Sequence, residues 1–190
     1  YYTNLYQLTD WLDTRNQGGA PALKLDALTS YSGATIASKA QAATPEGLAY
    51  RYALAELNPF ALTGDASIYA SHNASGELDR YDPATGMGAL TDRYLTDRAK
   101  FLAWKNLAST QDEASLDGPN RPDNWQFMDL TSNYSVDVVG QVLGFDSQNP
   151  YHKIIFGGDE ANWIDGGTET DSLYGGGGGD PSGVTSSGRG

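Results

Sequence analysis

The chain has 190 residues, no cysteine, and a formal charge of −12 from 24 acidic against 12 basic side chains. That excludes disulfides and thiolate metal sites, disfavours nucleic acid and anionic membrane surfaces as partners, and suits divalent cations. No apolar run reaches membrane-spanning length, and the length fits one ordinary domain or a smaller one with an appendage.

The sequence opens Tyr-Tyr-Thr, with neither an initiator methionine nor an apolar leader, and reads as a fragment or a processed chain. Tyr1, Leu5, Leu8 and Leu12 recur at helical spacing beside Tyr2, Tyr6 and Trp11, and Asn16-Gln17-Gly18-Gly19 closes the segment. This predicts an amphipathic helix whose aromatic flank faces a core, or else docks on a neighbouring domain or protein partner. Residues 20–34 read as irregular, and residues 35–43 as a short, alanine-rich, weakly helical piece.

Thr44-Pro45-Glu46 is a helix start, with a hydroxyl at the N-cap and proline at the first helical position. Tyr50, Leu54 and Leu57 share a face, and Asn58-Pro59 stops the helix because a residue before proline avoids the helical region. Residues 66–71 read as a strand and Asp82-Pro83-Ala84-Thr85-Gly86 as a turn. Thr91 caps the next helix, which Leu90 and Leu95 staple and which runs to about residue 107. Residues 109–124 are polar, contain Gly118-Pro119 and Pro122, and predict an exposed loop. Residues 126–130, 134–139 and 153–156 read as strands.

The end of the chain carries a period. The glycine pairs 157/158, 166/167 and 175/176 recur every nine residues, with Asn162, Asp171 and Asp180 at the sixth position of each unit. Ile164 and Leu173 hold the eighth position of the first two units. Paired glycines turn tightly and expose carbonyls, an aspartate adds a hard anionic oxygen, and the aliphatic residue fills the inward face of a short strand. A flexible linker has no reason to keep this phase.

This pattern resembles the nonapeptide calcium-binding repeat of RTX exoproteins, Gly-Gly-x-Gly-x-Asp-x-aliphatic-x, which folds as a parallel β-roll. Residues 51–60, 76–86 and 90–98 resemble a module that directly precedes the first such repeats in large RTX proteins, some of which carry a lipase-like domain. The resemblance implies that one full coil takes two nonapeptides, so that the loop at 157–162 closes a calcium site with the loop at 175–180. The middle loop, 166–171, then has only half a site. Its implied calcium ligands are Gly158, Glu160, Asn162, Gly167, Glu169, Asp171, Gly176, Gly178 and Asp180. Departures are Glu160 and Glu169 in place of glycine, Asn162 in place of aspartate, and Pro181-Ser182 where the third strand would begin.

The expected fold is therefore α+β. A helical module occupies 1–110, a loop and β-rich connector 111–152, degenerate repeats forming the first turns of a roll 153–183, and a tail 184–190. The expected function is a non-catalytic, calcium-responsive module of a secreted exoprotein, exported by type I secretion, that contacts adjacent domains and caps and nucleates the roll, with the helical module covering its open edge. Alternatives are a portion of a secreted RTX lipase or other hydrolase with its catalytic residues elsewhere, and an interaction module of an extracellular assembly.

No nucleophile elbow, phosphate loop, zinc-helix motif or dinucleotide fingerprint occurs. Ser71 and His72 are adjacent, so on an extended chain they point to opposite faces, and His72 reads as a loop residue. His152, close to Asn149-Pro150, reads as a turn residue. Glu77, Asp79 and Asp82 lack EF-hand spacing and read as a solvated turn.

Overall fold

A computed structural model describes residues 2–19, 21–111, 115–118, 124–140, 151–167 and 169–177. The chain is α+β and divides into two compact units, Tyr1–Ala103 and Trp104–Gly190.

In the first unit α1 (Tyr2–Gln17) buries Leu12 and leaves Trp11 half exposed. The side chain of Asn16 clamps the next segment, accepting from the Leu23 amide at 2.8 Å and donating to its carbonyl at 3.0 Å. That clamp leads into β1 (Lys24–Ala27), which pairs antiparallel with β2 (Phe60–Thr63). The sequence expectation of irregular chain at 20–34 is thus corrected over β1, which is too short and polar to show strand alternation.

α2 (Gly33–Ala40) starts at Ser32, whose hydroxyl accepts from the Thr35 amide. α3 (Pro45–Ala55) starts where expected, with Thr44 accepting from Gly47 N. Its end is more elaborate than a stop before proline. Leu57 takes a left-handed conformation (φ 49°), its amide bonds Leu54 O, and the Asn58 amide bonds Ala53 O. This is the paired closure usually built on glycine. Leu57 is almost fully buried, and that burial offsets its backbone strain.

Residues 66–71 form not a strand but part of a 3-10 helix, Ala66–His72. Asp65 explains the difference: its Oδ1 accepts from both the amide and the hydroxyl of Ser67, pulling the chain into a tight turn. Within this turn Tyr69 is buried and donates to Leu62 O; burial pushes its phenol up to about 12.

α4 (Asp92–Gln111) is capped by Thr91 and buries Leu95, Ala99, Phe101, Leu102 and Ala108. Its Arg98 donates to Leu54 O and Ala55 O, placing a cation on the negative end of α3. Arg51 is the matching buried cation on α3. It donates to Leu78 O at 2.6 Å, Ala40 O at 2.9 Å and Ala42 O at 3.2 Å. Asp26 ties β1 to both neighbouring helices, accepting from Tyr50, Tyr31 and Lys39. Burial works to raise its carboxyl, but these hydrogen bonds hold it below its ordinary range.

Among its described residues the second unit is a five-stranded sheet in the order β3 (Ser115–Gly118), β5 (Tyr134–Gly140), β4 (Asn124–Asp129), β6 (Tyr151–Phe156), β7 (Ser172–Tyr174). β4 (Asn124–Asp129) and β5 (Tyr134–Gly140) form an antiparallel hairpin. β3 (Ser115–Gly118) adds parallel to β5, which corrects the expectation of loop there; its four residues carry no apolar pattern to announce it. β6 (Tyr151–Phe156) pairs parallel with β4 on one side and with β7 (Ser172–Tyr174) on the other. Val136, Phe127 and Ile154 stand side by side across three strands and are fully buried. Among the described residues no helix is long and apolar enough to cross a membrane.

Loss of the Arg51 fork leaves three carbonyls without their donor in the interior, and each such loss costs about 1–3 kcal/mol. Urea denaturation of Arg51→Met is expected to show the first unit destabilised by about 3 kcal/mol or more. Arg51→Lys, a point donor without the fork, recovers less than about half of that.

Candidate metal site in the glycine loops

β6 and β7 fix the geometry. Ile154, Ile155 and Phe156 lie opposite Ser172, Leu173 and Tyr174, a parallel register offset by eighteen residues. The Phe156 and Tyr174 rings stack at 4.9 Å and within 4° of parallel. Each strand delivers the chain into a glycine pair at the same level, so the loops that follow are stacked too.

The stacking is close enough to require glycine. The Gly157 amide donates to Tyr174 O at 2.7 Å, and a Cβ on Gly157 would lie 2.2 Å from Gly175 O. A Cβ on Gly176 would lie 2.6 Å from Gly158 O and 2.9 Å from Gly157 O. Asp159 flanks Gly177, its Oδ1 3.2 Å from where a Cβ would stand. Of the expected ligands, Gly158, Asn162 and Gly176 are thus brought together, and the Asn162 Oδ1 accepts from the Gly158 amide at 2.7 Å. Glu160 is exposed on the same loop. Gly178 and Asp180 lie outside the described residues.

The middle loop is arranged differently. Gly167 is left-handed (φ 87°) and its amide donates to Asp165 Oδ1. Asp171 turns back on β6, where its Oδ1 accepts from the Lys153 amide at 2.7 Å. Burial raises the Asp171 carboxyl above its ordinary range and the Glu169 charge adds to this, while the Lys153 amide and the charges of Lys153 and His152 oppose it. His152 Nδ1 lies 3.0 Å from Thr170 O and donates to it in the protonated-Nδ1 tautomer.

Two features under the first loop had no signal in the repeat itself. Leu130 N donates to Phe156 O, and a Cβ on Gly158 would meet Thr131 Oγ1 at 2.7 Å. The β4–β5 turn therefore lies against the 157–162 loop, held in shape by Asp129 Oδ1 accepting from Thr131 N and Ser132 N. β6 is paired along its whole length with β4. The signal for Lys153 and His152 was available: each stands eighteen residues before its partner.

The donors gathered at 157–162 and 175–177 are hard oxygens, from backbone carbonyls, an amide side chain and carboxylates. That chemistry fits calcium and not a soft metal. Among the described residues no group of three or more His, Asp or Glu side chains converges as a metal site. Elsewhere, the acidic residues of the 77–82 turn are spent on local bonds. Glu77 accepts from Ser75 N, Asp79 from Asn73 Nδ2, and Asp82 from Ala84 N and the Thr85 hydroxyl. His72 packs its ring 4.7 Å from Tyr52.

Fold and site together define an α+β chain whose second unit ends in stacked glycine loops. Comparison with family models, curated proteins and solved structures finds no match to this chain.

The two glycines of the first loop differ in what they face. Gly157→Ala drives a methyl into a backbone carbonyl and is expected to destabilise the second unit by about 1–3 kcal/mol. Gly158→Ala meets only the Thr131 hydroxyl, so it costs less, and Thr131→Ala added to it restores the original stability. Thermal melts of the three variants check the order.

Proposed function

We propose that this chain is a non-catalytic, calcium-responsive structural module of a secreted, RTX-type exoprotein, built to start and cap a calcium-binding β-roll. The observation that carries the reading is the parallel pairing of β6 with β7 at an offset of eighteen residues, twice the nine-residue sequence period. Two stacked loops of carbonyls and carboxylates follow from that offset. Asp159 stands against Gly177 and Glu160 follows it in the first loop, so negative charge accumulates near where the backbones are closest. A divalent cation removes that repulsion and lets the glycine loops order against each other, so binding and the ordering of these loops are one equilibrium.

Capping belongs to the β4–β5 hairpin. β4 pairs with the leading edge of β6, and the 129–133 turn occupies the place of a preceding glycine loop. Calcium scarcity inside a cell and abundance outside make such a module order on export, in keeping with type I secretion. A second reading is favoured by one observation, the half-exposed Trp11: α1 is then the contact with an adjacent domain or partner protein.

A calcium titration of the full chain, followed by calorimetry and circular dichroism, tests the main reading. The expected result is a dissociation constant of roughly 10⁻⁵ to 10⁻³ M with a change in the far-ultraviolet spectrum as the loops order, weakened at least about tenfold by Asp180→Ala. No heat of binding and an unchanged spectrum at about 10 mM calcium overturn it.

A further inference from the structure

The two glycine loops of the coil differ in what stands eighteen residues before them. The 175–180 loop has the glycines and acidic residues of 157–162 as its counterpart. The 166–171 loop has residues 148–153, Gln-Asn-Pro-Tyr-His-Lys, with no glycine pair and no carboxylate. A second layer of calcium ligands is missing there, and a lysine is present.

We infer that Lys153 is the resident cation of the middle loop, holding it in place without a metal ion, so that the coil responds to calcium on one face only. Lys153 grips the loop at both of its ends. Its backbone amide donates to Asp171 Oδ1 at 2.7 Å, and its ammonium Nζ donates to Asp165 O at 3.3 Å. The ammonium also lies in ordinary contact range of Gly167, 3.6 Å from where a Cβ there would stand. His152 adds a further bond from the same strand, through Nδ1 to Thr170 O, with its ring set 5.0 Å from that of Trp125.

A calcium ion collects six to eight oxygens and so needs loops from two layers, whereas an ammonium has three donors and one charge. One carbonyl and one neighbouring carboxylate are within its means. An exposed lysine pair contributes little to stability as a rule. Here the same residue is fixed through its backbone in β6, so the side chain closes a loop already tethered at Asp171. This rests on the calcium reading only for the comparison between the two faces.

Amide hydrogen exchange on the full chain in chelator and then in calcium tests it, with Lys153→Met and Lys153→Arg beside the parent. In chelator the parent is expected to keep residues 166–174 protected. Lys153→Met exchanges there at least about tenfold faster while the β4 and β5 amides are unchanged, and Lys153→Arg stays close to the parent. If Lys153→Met loosens the whole sheet, the cycle with Asp171→Asn decides. A cost of Lys153→Met that largely disappears in the Asp171→Asn background supports the inference, and additive costs overturn it. Parent-like protection in Lys153→Met, or a parent loop that orders only when calcium is added, also overturns it. A parent that shows the lysine effect but no calcium response at 157–162 keeps this inference and removes the calcium reading.

Discussion

The second unit depends on one constraint, the parallel pairing of β6 with a strand eighteen residues further on. A parallel pair with no helix between its strands needs a loop that turns within a few residues and returns at the same level. Glycines supply that turn, and the same glycines let consecutive loops approach to backbone contact, as the Gly157 bond to Tyr174 O shows. Few apolar side chains are involved beyond Ile154, Ile155, Phe156 and Ile164. What orders the loops is therefore the backbone ladder together with whatever balances their charge.

The first unit solves a different problem. Its core sets small residues such as Ala40, Ala49, Ala53, Ala61 and Ala99 among large ones such as Ile36, Leu54, Leu95 and Phe101, and carbonyls of helix ends and turns face inward. Two buried guanidiniums meet them. Arg51 joins the ends of α2 and the following turn to the 78 segment, and Arg98 closes the end of α3. Arginine suits this task because its planar fork reaches several acceptors at fixed angles and stays charged even where burial lowers its pKa.

What was legible in the sequence follows from this contrast. α3 and α4 were readable because Thr44-Pro45 and Thr91 state their starts locally and the apolar spacing runs for several turns. The β4–β5 hairpin was readable from Phe127, Val136 and Val138 alternating across Thr131-Ser132-Asn133. β1, β2 and β3 were not, since each is four residues long and its strand character lies in the partner rather than in its own pattern. The 3-10 turn hid because Ile68 and Tyr69 look like strand residues, while one side chain, Asp65, decides the backbone. At the candidate site the period located the stacked loops, but a nine-residue repeat counts only its own members. Thr131 and Lys153 stand outside the repeat, and both bear on its loops.

A coil with one attached cation and one exchangeable cation behaves differently from one with two exchangeable cations. With Lys153 as the attached charge we infer, Asp171 and the register of β7 on β6 are set before any ion binds. On the proposed calcium reading, an ion at the other face has only the loop tips to order, because the entropy of aligning the strands has already been met by the fold. The hairpin works to the same end from the opposite side, since β4 fixes the far edge of β6 through backbone bonds that involve no ion. In the proposed module, a strand held on both edges before any ion binds would be a template on which a further coil adds at low cost. That is what the start of a roll requires, and what a coil in the middle of one receives from its neighbours.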